Sequence, residues 1–151
     1  MPKSDEHDAE NAAVTADEPK PRLLGRLFGR GGRPSEGQAV PIDGPSPVVD
    51  IDDVSFLTAT AGSWTIVDFW APWCGPCRAF HPRFDRAARE HAHDGVRFAR
   101  LDVDSSPRSA AMVGIQSIPT VVLFDPEGNE ARRIVGVPST AKLHDLIHEA
   151  S

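Results

Sequence analysis

The segment that most constrains this chain is Trp64-Thr65-Ile66-Val67-Asp68-Phe69-Trp70. β-Branched and aromatic residues follow one another there with almost no polar relief, the pattern of a central strand buried on both faces. Such a strand needs a helical layer on each side, so its surroundings must alternate strands with amphipathic helices. Asp68 is the anomaly, because a carboxylate in that setting is costly unless it has a partner or a task.

The neighbouring sequence supplies those elements. Val48 to Ile51 reads as a short entry strand, and Asp52 or Asp53 as the cap of a short helix through Val54, Phe56 and Leu57 ending near Gly62. After Cys74, Phe80, Phe84, Ala87 and Ala88 recur at helical spacing, with Gly95 as a stop and Pro82 as an internal kink. Val96 to Val103 is the next strand. A helix then starts at Ser105 or Ser106 before Pro107 and stops at Gly114. Pro119 to Phe124, a turn at Asp125–Asn129 and Arg132 to Val137 form an antiparallel hairpin. A last helix from Ser139 or Thr140 aligns Leu143, Leu146, Ile147 and Ala150. The order β-α-β-α-β-α-β-β-α makes a mixed sheet with helices on its faces, an α/β fold.

Ahead of this pattern the composition changes. Residues 1–47 hold 7 Pro and 6 Gly but only seven Val, Leu, Ile or Phe residues. That is too little apolar surface to offset chain entropy, so residues 1–46 are expected to be a disordered N-terminal extension and residues 47–151 the folded domain. Within the extension, Arg22, Arg26 and Arg30 are spaced four apart around Leu23, Leu24, Leu27 and Phe28. On a helix, Arg22–Arg33 would form a basic amphipathic patch for weak contact with an anionic membrane surface or a partner groove. Gly25, Gly29, Gly31 and Gly32 argue instead for a solvated basic segment.

The formal charge of −6 offers no basic field for nucleic acid. Six acids in the first twenty residues fit neither a secretory signal nor a transit peptide, so a cytoplasmic location is expected.

The chain has two cysteines, in Trp73-Cys74-Gly75-Pro76-Cys77, directly after the buried-type strand and at the start of a helix. Unpaired N–H groups and the positive dipole end there favour a Cys74 thiolate, the species that attacks a disulfide. Cys77, one turn on, is placed to attack the resulting mixed disulfide, and Pro76 suits a first turn. Half of a zinc site is the competing reading, but no further cysteine completes it, and His81, His91, His93, His144 and His148 fall on polar faces and read as solvated; no metal is expected. A structural disulfide closing so small a loop would constrain little of the unfolded chain.

Val67-Asp68-Phe69-Trp70-Ala71-Pro72-Trp73-Cys74-Gly75-Pro76-Cys77 resembles the active-site signature of the thioredoxin family. Leu101-Asp102-Val103-Asp104, Gly114-Ile115-Gln116-Ser117-Ile118-Pro119-Thr120, Val135-Gly136 and the last helix follow in family order over residues 48–151. The resemblance implies the thioredoxin fold, a central mixed sheet flanked by helices on both faces. It implies a protein-disulfide reductase cycling between a dithiol and a Cys74–Cys77 disulfide, with Cys74 as nucleophile and Cys77 as resolving thiol. Asp68 would lie beneath them, its pKa raised by burial, moving a proton to or from Cys77 through water. Pro119 would be the cis-proline facing the cysteines, and Trp73, Gly75, Pro76, Ile118, Val135 and Gly136 the apolar rim that receives target backbone.

Two departures from the family pattern stand out. Arg100 replaces a frequent Lys near the buried Asp, which alters the tuning of Asp68 and the thiols, and the Phe56–Asp68 segment is about two residues short. Gly75-Pro76 between the cysteines is the dipeptide of reductants in the family. No cofactor would be bound; electrons would come from NADPH through thioredoxin reductase, and disulfide-containing proteins would be the targets. The alternatives are a thiol-disulfide oxidase or isomerase on the same fold, or a binding module docked through its N-terminal extension.

Overall fold

The structure, a computed structural model, describes residues 45–151; the expected basic patch at 22–33 and all of the extension before Pro45 lie outside the described residues. The elements come in the expected order: β1 (Val49–Ile51), α1 (Phe56–Ala59), β2 (Thr65–Trp70), α2 (Gly75–Glu90), β3 (Arg97–Asp102), α3 (Pro107–Val113), β4 (Thr120–Phe124), β5 (Glu130–Val135) and α4 (Thr140–Glu149). The strands form one sheet in the order β1-β3-β2-β4-β5. β1, β3 and β2 run parallel, whereas β4 is antiparallel to β2 and β5 to β4. The Trp64–Trp70 run thus supplies the central strand, with Thr65 to Phe69 all buried.

Alternation along the strands splits the core in two. Ile66, Phe98, Val121 and Leu123 face one side, where Phe80 and Phe84 of α2 and Leu143, Leu146 and Ile147 of α4 cover them. Val67, Phe69, Leu101, Val122 and Phe124 face the other, beneath Phe56 of α1 and Val113 of α3. Phe84 stands between Phe80 and Phe98, 5.6 Å from each ring centre. Fully burying a side chain of this size is worth about 1.5–3 kcal/mol, so a few such rings hold each layer in place. Asp68, two residues beyond Ile66, projects toward the α2 side.

Local polar groups set the element ends. Asp52 Oδ1 accepts from the backbone N–H of Val54 and Ser55, 3.0 and 2.9 Å, and so organises the turn into α1 as expected. Asp53 does something else: its carboxylate accepts from the N–H groups of Arg108 and Ser109, 3.2 and 2.6 Å, and serves the N-terminus of α3. Pro82 lies inside α2, where it removes one backbone donor without ending the helix. That helix stops at Glu90, before the expected Gly95. His91–Gly95 form a turn in which His91 Nδ1 and Asp94 Oδ2 lie 2.6 Å apart and Gly95 takes a φ of +78°. Gly114, at φ +75°, closes α3. Asp125 Oδ1 accepts from the N–H of Glu127 and Asn129, starting β5 at Glu130, two residues earlier than the pattern predicts. No helix among the described residues is long and apolar enough to cross a membrane.

Candidate active site

β2 hands the chain to α2 through Ala71–Cys74, a loop closed by the Cys74 N–H donating to the Ala71 carbonyl at 3.1 Å. Cys74 is the N-cap of α2, with extended backbone, and its Sγ accepts from the Cys77 N–H at 3.3 Å. Sulfur therefore occupies the place of a capping oxygen, where free N–H groups and the helix dipole favour negative charge. Cys74 and Cys77 are joined as a disulfide with Cα atoms 5.3 Å apart. Both are buried, Cys77 completely and Cys74 to 5% exposure. Gly75 and Pro76 are exposed beside them, and a Cβ added at Gly75 would meet nothing within 4 Å.

The predicted rim residues gather at the same end of the sheet. Trp73 is 69% exposed, and its Nε1 donates to Asp104 Oδ2 at 2.7 Å. Beside it lies a hollow of about 330 Å³ lined by Val103, Ala110, Ile115 and Ile118 among others. The Ile118–Pro119 peptide is cis. Thr120 pairs with Phe69 near the end of β2, which brings the buried Pro119 to the cysteine end. The Gly136 N–H donates to the Pro119 carbonyl at 2.8 Å, and Val135, exposed, pairs with Thr120. A larger apolar hollow, about 400 Å³ along Pro47, Val49, Ala88 and Phe98, lies toward the opposite end of the sheet.

Behind the cysteines a polar row crosses the α2 layer. Asp68 is fully buried, and neither carboxylate oxygen has a hydrogen-bond donor among the described residues. Burial pushes its pKa up to about 7; Arg100 pulls the other way and Asp85 adds to the rise. Arg100 pairs in register with Asp68, as its expected position requires, yet its Nη2 donates to Asp85 Oδ1 at 3.0 Å. Ser46, which the sequence reading leaves in the extension, donates to the same oxygen at 2.9 Å.

The thioredoxin family model matches residues 48–149. The chain belongs to the thioredoxin family. A thioredoxin from Mycobacterium tuberculosis is 41% identical over 100 residues, 65% of this chain and 84% of that one. The chloroplastic M-type thioredoxin of Pisum sativum is 39% identical over 66% of this chain and 58% of its own length. The structure of a Malassezia sympodialis thioredoxin superposes with a TM-score of 0.66 at 29% identity, covering 76% of this chain and all of the other. With its redox-active cysteine pair, this thioredoxin is a protein-disulfide reductase, a thiol-disulfide oxidoreductase that acts on proteins carrying disulfides.

Reading the sequence missed three groups around this thioredoxin's site. His81, taken there as solvated, is half-buried: its ring meets Trp70 edge-on at 4.6 Å, and its Nε2 lies 3.5 Å from Asp68 Oδ2. The signal was its spacing, because Cys77, His81 and Asp85 are successive i, i+4 positions along one row of α2. Asp85 is the third member of that row, and Asp104, the anchor of Trp73, stands in the Leu101–Asp104 segment that carries the resemblance, with no role assigned to it there. Among the other histidines, His93, His144 and His148 are exposed, as expected.

Proposed function

We propose that Cys74 is the attacking thiolate of this reductase and Cys77 the thiol that resolves the intermediate. The observation that carries this assignment is the Cys74 sulfur at the N-cap of α2 with the Cys77 N–H directed at it. In the reduced protein Cys74 attacks one sulfur of a target disulfide, forming a mixed disulfide and expelling a target thiolate that takes up a proton. Cys77 gives its proton to the Asp68 carboxylate, attacks the Cys74 sulfur and expels the second target thiolate. Two electrons have then passed to the target, and the pair is left as the disulfide. An Asp68 pKa near 7 suits a group that must both take and return a proton at neutral pH.

Trp73, Ile118, Val135 and Gly136 form the docking rim, with Pro119 beside the sulfurs. Gly75 keeps the approach to Cys74 open, Pro76 stiffens the first turn, and Arg100 tunes Asp68 through its charge. A thioredoxin reductase drawing on NADPH returns the pair to the dithiol, in the cytoplasm, without a cofactor bound to this chain. The chemistry rests on residues 45–151.

The test is catalysed reduction of a protein disulfide coupled to NADPH through thioredoxin reductase, together with Cys77→Ser to trap targets on Cys74. Turnover and a covalent adduct are expected. Absence of both with every reductant would sink the assignment.

A further inference from the structure

We propose that His81 is a positioning residue for the redox cycle, standing between the buried Asp68 carboxyl and solvent and relaying the proton that Asp68 exchanges with Cys77. The proposal rests on the Asp68 role given above. Asp68 is sealed, with no exposed surface and no hydrogen-bond donor on either oxygen among the described residues. A proton delivered there from Cys77 needs a way out before the next cycle. Nε2 of His81 lies 3.5 Å from Oδ2, a few tenths of an ångström beyond a hydrogen bond, and is itself buried without a hydrogen-bond partner. Two unsatisfied groups thus face each other, one of them on a side chain that is 18% exposed. Since Nε2 is buried, that exposure belongs to the remainder of the side chain. Trp70 holds the imidazole edge-on and fixes its direction.

The other charged groups around the pair do not substitute for it. Arg100, from β3, is turned to Asp85 and stays protonated at any working pH, so it carries no proton. Its charge disfavours a cationic His81, while Asp85 on α2 and Asp50 on β1 act in the opposite sense. Burial is the largest influence on both partners and favours the neutral form of each. Protonated Asp68 beside neutral His81 is the arrangement in which an O–H can pass its proton to Nε2.

The step balances. Cys77 loses a proton to the Asp68 carboxylate; Asp68 passes it to His81 Nε2; the imidazolium releases a proton from Nδ1 to water. Re-reduction of the disulfide runs the same path inward, which also restores the starting tautomer.

His81→Phe keeps a ring against Trp70 and removes both nitrogens. In stopped-flow reaction with a protein disulfide it is expected to slow the Cys77-dependent step about tenfold at pH 7, a modest share of what a proton carrier supplies, so that mixed disulfide accumulates. In a second variant, His81→Ala, which removes the ring and leaves room beside Asp68, added imidazole buffer should restore the rate in proportion to its concentration and leave the wild type unaffected. A rate equal to the wild type, or a slowing that imidazole does not relieve, would overturn the relay. Independently of any His81 variant, the ring resonances of His81 in the full chain should show an inflection near pH 7 that Asp68→Asn removes; an unchanged titration would also overturn it. A wild-type protein that forms no mixed disulfide at all would instead strike the parent reading.

Discussion

At the scale of single residues, Asp68 is where stability and chemistry conflict. Its pKa of about 7 in the fold lies above the 3.8 of an ordinary Asp, so the native state holds a proton that the unfolded chain gives up. The resulting destabilisation is absent below about pH 4, grows as pH rises from 4 to 7, and is complete above that. Asp68→Asn should therefore stabilise the oxidised protein by roughly 3–4 kcal/mol at pH 8 and by almost nothing at pH 3.5, as urea melts at the two values would show. Equal gains at both would mean that the carboxyl is not held neutral. Trp73 sets a second expectation: with its indole tied to Asp104, Asp104→Ala should raise KM for a protein disulfide about fivefold, the equivalent of about 1 kcal/mol, and leave kcat nearly unchanged. Asp68 was legible because a charge inside a run of buried-type residues has to be explained. His81 was not, because a histidine at the margin of an amphipathic stripe is polar in sequence whichever way it turns, and only Trp70 and Asp68 across the interface decide.

At the scale of elements, what could be read came from period and punctuation. The 3.6 spacing of Phe80, Phe84 and Ala88, and the β-branched and aromatic run of β2 broken only by Asp68, each admit one layer assignment, and both layers stand as that reading implies. Element ends were misplaced where a local turn took over, at His91–Gly95 and at Asp125, whereas the start of α3 was legible from Ser106 and Pro107 although part of its cap comes from elsewhere in the chain. Asp53 looks local to α1, yet it reaches α3 across 55 and 56 positions, a contact no local pattern encodes. Its replacement by Ala should speed hydrogen exchange at the Arg108 and Ser109 amides while leaving those of α4 unchanged. Gly114 was readable because its left-handed backbone disfavours any side chain. Although a Cβ there would meet no neighbour within 4 Å, Gly114→Ala should cost about 1 kcal/mol in denaturant melts, from the φ of +75° alone.

At the scale of the whole molecule, the family match begins at Val48, but the hydrogen bond from Ser46 to Asp85 carries the domain two residues further toward the N-terminus. A chain of residues 45–151 should therefore retain reductase activity within about twofold of full length on a generic protein disulfide, since a domain with its own core folds alone. A larger loss would give the residues before Pro45 a part in the chemistry. Among the described residues the sheet is open, with β1 and β5 at its two margins. Unpaired strand margins invite other chains to add on, and here each is guarded differently. β1 is only three residues long, and β5 carries Arg132 and Arg133, tied to Glu149 and Glu130. The bare large apolar residue of β5 is Val135, at its last position, opposite Thr120 at the cysteine end of the sheet. Edge-to-edge association is thus discouraged along most of the described sheet and left open at the end where the proposed docking rim lies.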